Sequence, residues 1–263
     1  MALSFSPEPA AVWNLLNPAP DLARNSPPLF DQLADASREA AAVGDVRSLN
    51  VSVEPAIASR WLVGRLGRFN ALHPDIELNI DPTSRLVDFY ADDVELGIRY
   101  GLGGWEDVEA SKLSDVVIFP VCEPKLIRDD VVIAPAGLSK YNLLHEDRKQ
   151  WWAEWLLAAG VSGVEDWRGT TFQNHLALEA AEAGQGFALG DQILCTDSIV
   201  EGWLARPFNF DMKDHGAYWV VRKKGSRESA PARAFREWLL GEVVETNRKF
   251  QQIKAQALKP AAK

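Results

Sequence analysis

The chain has 263 residues, of which 47% are hydrophobic, enough to bury the core of one or two domains. A formal net charge of −9 excludes a mainly electrostatic grip on nucleic acid, because association with a duplex is driven by lysine and arginine neutralising phosphates. Two cysteines, Cys122 and Cys195, form no CxxC pair, which excludes a disulfide framework and a zinc ribbon and suits a reducing cytoplasm.

The segment from Met1 to Pro20 has no basic stretch followed by a continuous apolar run, and no run of about 18 apolar residues occurs elsewhere, so export and membrane spanning are not expected. Residues 1–24 match no DNA reader. Between Met1 and Ser48 six acidic residues (Glu8, Asp21, Asp31, Asp35, Glu39 and Asp45) face only three basic ones (Arg24, Arg38 and Arg47), which leaves no phosphate-binding footprint there. From Asn25 to Val43 a helix is predicted, opened by Pro27-Pro28, with Leu29, Leu33 and Ala40 on one packing stripe.

Leu49, Val51 and Val53 alternate as a short strand does, and Pro55 then suits the first turn of a helix, where a missing N–H does no harm. Along that helix Ile57, Trp61, Leu62, Leu66, Phe69 and Leu72 recur at three- and four-residue steps, Arg60, Arg65 and Arg68 fall elsewhere on the wheel, and His73-Pro74 ends it. Ile76, Leu78 and Ile80 give a second strand, Val87 to Ala91 a short helix, and Val94, Leu96 and Ile98 a third strand. The order is that of a right-handed β-α-β-α-β unit.

Further on, Trp151, Trp152 and Trp155 lie on a helix ending at Gly160, with spacing that fits core and lobe-interface packing better than a stacking platform for bases. Asn174 caps a helix running to Gly184, and Gly184 and Gly186 read as its C-cap and a tight turn into a strand from Phe187 to Leu189. Pro231 opens the last helix, whose inward stripe is Phe235, Leu239 and Val243. Beyond Glu245 the cations Arg248, Lys249, Lys254, Lys259 and Lys263 suit the negative end of a helix dipole.

Catalytic patterns are missing. His73, His145, His175 and His215 show neither HxxxH nor HExxH spacing, GLGGW at Gly101–Trp105 is not GxGxxG, and there is no GxSxG elbow. Cys122, close to a crossover between lobes, reads as a buried inert thiol more readily than as a redox sensor. No cofactor, no metal and no enzymatic activity are expected.

The blocks PAIASRWLVGRLGRF, HPDIELNI, LVDF and VELGIRYGLGGW resemble the effector-binding domain of LysR-type transcriptional regulators, in the branch of the glycine-cleavage activator and the β-lactamase regulator. LSDVVIFPVCEPKL, LLHEDRKQWWAEWLLAAG, TTFQNHLALEAAEAGQGFALGDQILCTDSIVEGWLARPF and the stretch from AYWVVR to FREWLL continue the likeness in the same order, from Leu49 to Leu240. The resemblance implies an α/β fold of two Rossmann-like lobes joined by two crossover strands, of the type 2 periplasmic-binding-protein kind, with a small molecule held between the lobes. Mapped onto this sequence it gives an atypical segment (1–24), a linker-like helix (25–47), lobe I (48–119 plus 208–258), lobe II (120–207) and a tail (259–263). The space before Leu49 is too short for the family's winged helix-turn-helix and linker, so no direct DNA contact is expected from the chain. It also implies a homodimer, or a mixed oligomer with full-length regulators.

In open α/β sheets ligands lie beyond the C-terminal ends of the strands, where helix N-termini offer free amides. Pro55, Ala56 and Ile57 follow the first strand, Ser84 and Arg85 the second, and Arg99, Tyr100 and Gly101 the third. Thr171, Phe172 and Gln173 face them from the second lobe. Arg99 has the bidentate geometry to hold a carboxylate, so the small-molecule effector could carry one; its structural alternative is an ion pair with Glu95 or Asp93. Tyr100 adds a ring with a polar handle. The sequence departs from the family where Ala56 replaces a serine or threonine, Ile57 an aromatic residue and Gly64 a proline, so ligand identity does not carry over. The expected function is an effector-sensing module that closes on a small molecule and signals through oligomer contacts. A periplasmic-type solute-binding receptor and a degenerate protein-interaction module are the alternatives.

Overall fold

The computed structural model describes residues 47–85, 87, 89, 92–127, 134–146, 150–162, 169–172 and 176–257. The chain separates into residues 1–47 and residues 48–263, and apart from Arg47 the described residues all belong to the second unit. The expectations for the segment 1–24, the linker-like helix and the tail 259–263 lie outside the described residues, as do Gln173 and Asn174.

Strand β1 (Arg47–Val53) buries Leu49, Val51 and Val53, as their alternation predicts. Ser52 is buried as well, so this strand is covered on both faces, as a strand inside a parallel sheet should be. Glu54 caps the short helix α1 (Pro55–Ile57), its carboxylate accepting the Ile57 N–H at 3.2 Å, and Pro55 takes the first helical position. The helix then widens into a π turn over Ala58–Leu62, where the Val63 N–H reaches back to the Ala58 carbonyl, before α2 (Leu66–Leu72) begins.

This break alters the sequence reading of one continuous amphipathic helix. A π turn takes an extra residue into the helix, so everything after it is rotated relative to a 3.6-residue wheel. Leu72, expected inward, is 67% exposed, whereas Arg65, expected outward, is buried. Phe69 remains fully buried, edge-on to Phe235 at 5.3 Å.

Strands β2 (Ile76–Pro82) and β3 (Leu96–Gly101) follow, and β1 and β3 pair in parallel with Val51 opposite Leu96 and Val53 opposite Ile98. Of the short helix predicted over Val87–Ala91, the described Val87 and Phe89 are not helical. Strand β4 (Val108–Val121) is long because it serves two sheets' worth of partners: it runs antiparallel to β8 (Met212–Lys223) from Val108 to Ile118, then to β7 (Phe187–Asp191) from Ile118 to Val121. Between these come β5 (Leu143–Glu146), α3 (Gln150–Ala158), β6 (Thr171–Phe172) and α4 (Leu176–Glu182), then α5 (Gln192–Glu201) after β7. Helix α6 (Ala230–Ala257) closes the described chain.

The resulting sheet runs β2-β1-β3-β8-β4-β7-β5-β6, so β4 and β8 are the two crossover strands that join the halves. Cys122 and Ala205 pair by their backbones where the chain enters and leaves the second half. The β4–β8 register shifts between Lys112 and Ser114 and between Asp115 and Val117. Gln192 repairs these irregularities: its amide donates to the Asp115 carbonyl at 2.6 Å and the Ser114 hydroxyl at 3.2 Å, and it accepts the Val117 N–H at 3.0 Å.

One apolar core runs through both halves. In the second, Trp152 and Trp155 are fully buried, and Trp155 lies against Phe208 and Phe210 at 5.7 and 5.5 Å, which is the packing role that their spacing predicts. Along α6, Phe235, Leu239, Val243 and Phe250 face inward, with Phe250 stacked on Phe119 at 5.1 Å. Replacing Trp155 by alanine is expected to cost about 3–5 kcal/mol through lost burial and a residual cavity. Urea unfolding would read this as a lowered midpoint at unchanged slope; a loss under about 1 kcal/mol would show that the second half collapses around the gap.

Candidate functional site

The positions of β1, β3 and the crossover strands dictate a cleft of about 850 Å³ between the two halves. From the first half Glu54, Ala56, Ser84, Arg99 and Tyr100 line it. From the second come Leu144, Glu146, Trp151, Trp152, Leu178 and Asp191, while the crossover strands add Val116, Ile118, Asp214 and Tyr218.

Of the residues that the sequence singles out, Ala56, Ser84, Arg99 and Tyr100 therefore come together at one wall. Pro55 and Ile57 belong to the same turn without lining the cleft, and Ile57 is buried in the core. Arg85 projects to solvent and pairs with Asp92 at 2.8 Å. Thr171 and Phe172 form the edge strand β6 beside β5 and do not line the cavity, and Gln173 lies outside the described residues.

Arg99 meets neither of its expected acids. Glu95 instead accepts the backbone and hydroxyl of Ser229, and Asp93 accepts the Asn50 amide. One terminal nitrogen of Arg99 donates to the carbonyls of Ser52 and Ile98 at 3.0 and 2.8 Å, and the other to the Ser52 hydroxyl at 2.6 Å and the Arg85 carbonyl at 3.2 Å. Burial lowers its pKa, partly offset by the charges of Glu54 and Asp81. The guanidinium thus staples β1, β3 and the loop after β2, and both of its terminal nitrogens are engaged with protein oxygens.

Glu54, Asp191, Asp214 and Tyr218 escape the sequence reading, which looks for ligand groups at strand ends and helix starts and treats residues inside β8 as framework. Asp191 had a legible signal, since an aspartate directly before an apolar helical run marks an N-cap. One of its oxygens accepts the N–H groups of Ile193 and Leu194 at 2.7 and 3.0 Å, and the other accepts the Tyr218 hydroxyl at 2.8 Å. Tyr100 donates to Asp214, and its ring stands 5.6 Å from that of Tyr218. Gly216 permits this crowding, because a Cβ there would fall 2.5 Å from the Tyr100 hydroxyl.

Burial is the main force on these groups. It raises the Glu54 pKa, with the Asp191 charge pushing the same way and the Ile57 and Ala56 amides and Arg99 opposing. It likewise raises Asp191, against the hydrogen bonds from Leu194, Tyr218 and Ile193, and it holds the Tyr100 and Tyr218 hydroxyls protonated. Both thiols are free and buried, Cys122 pushed up to about 12 and Cys195 also raised, so neither is a ready thiolate. Among the described residues no cluster of histidine, cysteine, aspartate or glutamate is arranged to hold a metal ion, and no helix is long and apolar enough to cross a membrane.

A single sheet bent through two crossover strands, with a cleft where the halves meet, defines the two-lobed ligand-binding class of α/β protein. Residues 43–243 match the LysR substrate binding domain, and the chain belongs to that family. It is 32% identical over 225 residues to the glycine cleavage system transcriptional activator of Escherichia coli strain K12, covering 85% of this chain and 74% of that one. It is 35% identical to the HTH-type transcriptional activator AmpR of Providencia stuartii, over 74% of this chain and 66% of the other. Its fold is similar to the effector domain of AmpR from Pseudomonas aeruginosa, with a TM-score of 0.66 and 30% identity over 77% of this chain and 98% of that one. The AmpR effector-binding domain from Citrobacter freundii is similar too, at a TM-score of 0.65 and 28% identity over 76% and 99% of the two chains. The chain is thus a LysR-type effector-binding domain, and its relatives are transcription regulators rather than enzymes or solute receptors.

A carboxyl group whose pKa is raised by folding favours the native state below its ordinary range, and that contribution is lost as pH rises through the raised value. Glu54 and Asp191 both act in this sense. The native state should therefore lose stability from this pair as pH rises above the ordinary carboxylate range of about 4, and Glu54→Gln should flatten that loss in urea-unfolding curves. An identical pH dependence in the variant would place Glu54 in solvent.

Proposed function

We propose that the cleft is the effector site of a cytoplasmic, LysR-type sensing module, which closes on a small molecule and passes the change on through a homodimer or a mixed oligomer with full-length regulators. The seams of lobe II lie near Pro120 and Pro207, on either side of the Cys122–Ala205 backbone pair. The observation that carries the reading is the cleft itself: about 850 Å³, walled by both halves, mostly apolar, with a few convergent polar groups. A catalytic role has no comparable support. Pro55, Ala56, Ile57 and Ser84 frame the wall of the first lobe, where Ala56 supplies no hydroxyl and leaves recognition to neighbouring groups. A carboxylate-bearing effector would have to draw Arg99 away from the Ser52 and Arg85 oxygens that hold it.

The mechanism is population shift. A ligand that prefers the closed form by about 1.4 kcal/mol changes the open–closed ratio tenfold. Thermal unfolding of the purified chain against a library of amino acids, amines, small carboxylates and cell-wall fragments tests the reading, since a ligand at 100 times its Kd stabilises the native state by about 2.7 kcal/mol. The expected result is a concentration-dependent rise in Tm that Ala56→Trp abolishes while the far-ultraviolet circular dichroism is unchanged. A rise that persists in Ala56→Trp would move the binding site elsewhere.

A further inference from the structure

The charge balance of the cleft is one-sided. Among the described residues Glu54, Glu106, Asp107, Glu146, Asp191 and Asp214 border it, against one cation, Arg99. That cation already has the Ser52, Ile98 and Arg85 oxygens as partners. Glu54, from the first half, and Asp191, from the second, lie near enough for the charge of Asp191 to act on Glu54. Aromatic side chains also line the cleft: Tyr100 and Tyr218, with rings 5.6 Å apart, Trp105, Trp151 and Trp152.

We infer that the effector is an organic cation, a protonated or quaternary amine on an apolar body, held between Glu54 and the Asp191–Tyr218 pair inside this aromatic wall. The inference rests on the cleft being the effector site and names the chemical class that the site takes. Two independent features of the cavity point the same way. A carboxylate ligand would enter a site whose acids outnumber its cations and whose arginine is already engaged, at a cost in repulsion and in broken hydrogen bonds. An ammonium ion instead relieves the mutual repulsion of Glu54 and Asp191 and is attracted to the negative faces of the rings. The oxygens of Asp191 are each taken by protein donors, so it acts through its charge, whereas Glu54, its carboxylate held by the Ile57 N–H at the border of the cleft, is the acid proposed to meet the cation. The groups facing Glu54 are Asp191 and Tyr218 across the cleft and Arg99 on its own side. A bound cation lowers the pKa of Glu54, so binding releases a proton from the protonated fraction and strengthens as pH rises.

The test is a matched series on the full chain: benzylamine, benzyltrimethylammonium, benzyl alcohol and benzoate, followed by titration calorimetry and tryptophan fluorescence. Both cations should bind at least about tenfold more tightly than benzoate, with affinity rising as pH increases above the ordinary carboxylate range. Glu54→Gln keeps an oxygen that can accept the Ile57 N–H, so the fold should persist while cation affinity drops about tenfold or more. Asp214→Asn, on the crossover strand, is a second variant that should weaken the cations and leave benzyl alcohol unaffected. Benzoate binding as tightly as the amines, or Glu54→Gln leaving the amines untouched, overturns the inference while the effector-site reading stands. No binding by either cation overturns it too, and silence across the broader ligand library as well would take the effector-site reading with it.

Discussion

The Asp191 carboxylate is the constraint on which the arrangement turns. A buried carboxylate is costly unless its lone pairs are met, and here three donors meet them: two amides that open α5 and the Tyr218 hydroxyl on a crossover strand. The first two fix where α5 starts. The third fixes that start against the strand that joins the lobes. Gln192, the first residue of α5, then fills the irregular stretch of β4, so the end of β7, the helix and both crossover strands are set by two adjacent side chains.

From α5 the order spreads to the first lobe through Arg60 and Arg65. Arg60 bonds Glu182 on α4 at 2.5 Å and Ser198 on α5 at 3.2 Å. Arg65 pairs with Asp197 at 2.6 Å, reaches Thr246 on α6 at 3.1 Å, and lies over the Trp61 ring at 4.7 Å. Buried ion pairs of this kind contribute little net stability, because desolvation offsets most of the attraction. What they contribute is position. A displaced partner would leave a buried charge uncompensated, so the turn that carries Glu54 and Ala56 is held in one relation to α5 and hence to Asp191.

The first lobe was legible because its strands alternate cleanly and its helix starts at a proline in the position that tolerates one; β1, β3 and the C-terminal helix follow their sequence patterns closely. The π turn was not legible, since an apolar period of 3.6 carries no mark of a single wide turn. That one turn is what inverts Arg65 and Leu72. The cleft wall at Ala56, Ser84, Arg99 and Tyr100 was read from the rule that strand ends in an open sheet face the ligand. The rule says nothing of residues within a crossover strand, which is where Asp214 and Tyr218 sit, nor does it say how an arginine at a strand end spends its hydrogens. Arg99 had two plausible partners nearby in sequence and took neither, because the carbonyls of Ser52 and Arg85 and the Ser52 hydroxyl were closer in space.

The same geometry bears on how closure could be signalled. Glu54 and Asp191 both line the cleft on elements that Arg60 and Arg65 tie together, so a cation bound beside the two acids would act on the same set of contacts, from the turn at Glu54 through α5. Without a ligand the two carboxylates oppose approach, since ionising both at close range is unfavourable. A ligand that cancels this repulsion stabilises only the arrangement in which both charges lie close to it, and that differential interaction is what a shift between open and closed forms requires. The two crossover strands have their register broken between Lys112 and Val117. A bulged segment bends more readily than a regular ladder, and Gln192 bonds to that very stretch, so α5, and with it the turn at Glu54, is coupled directly to the crossover strands.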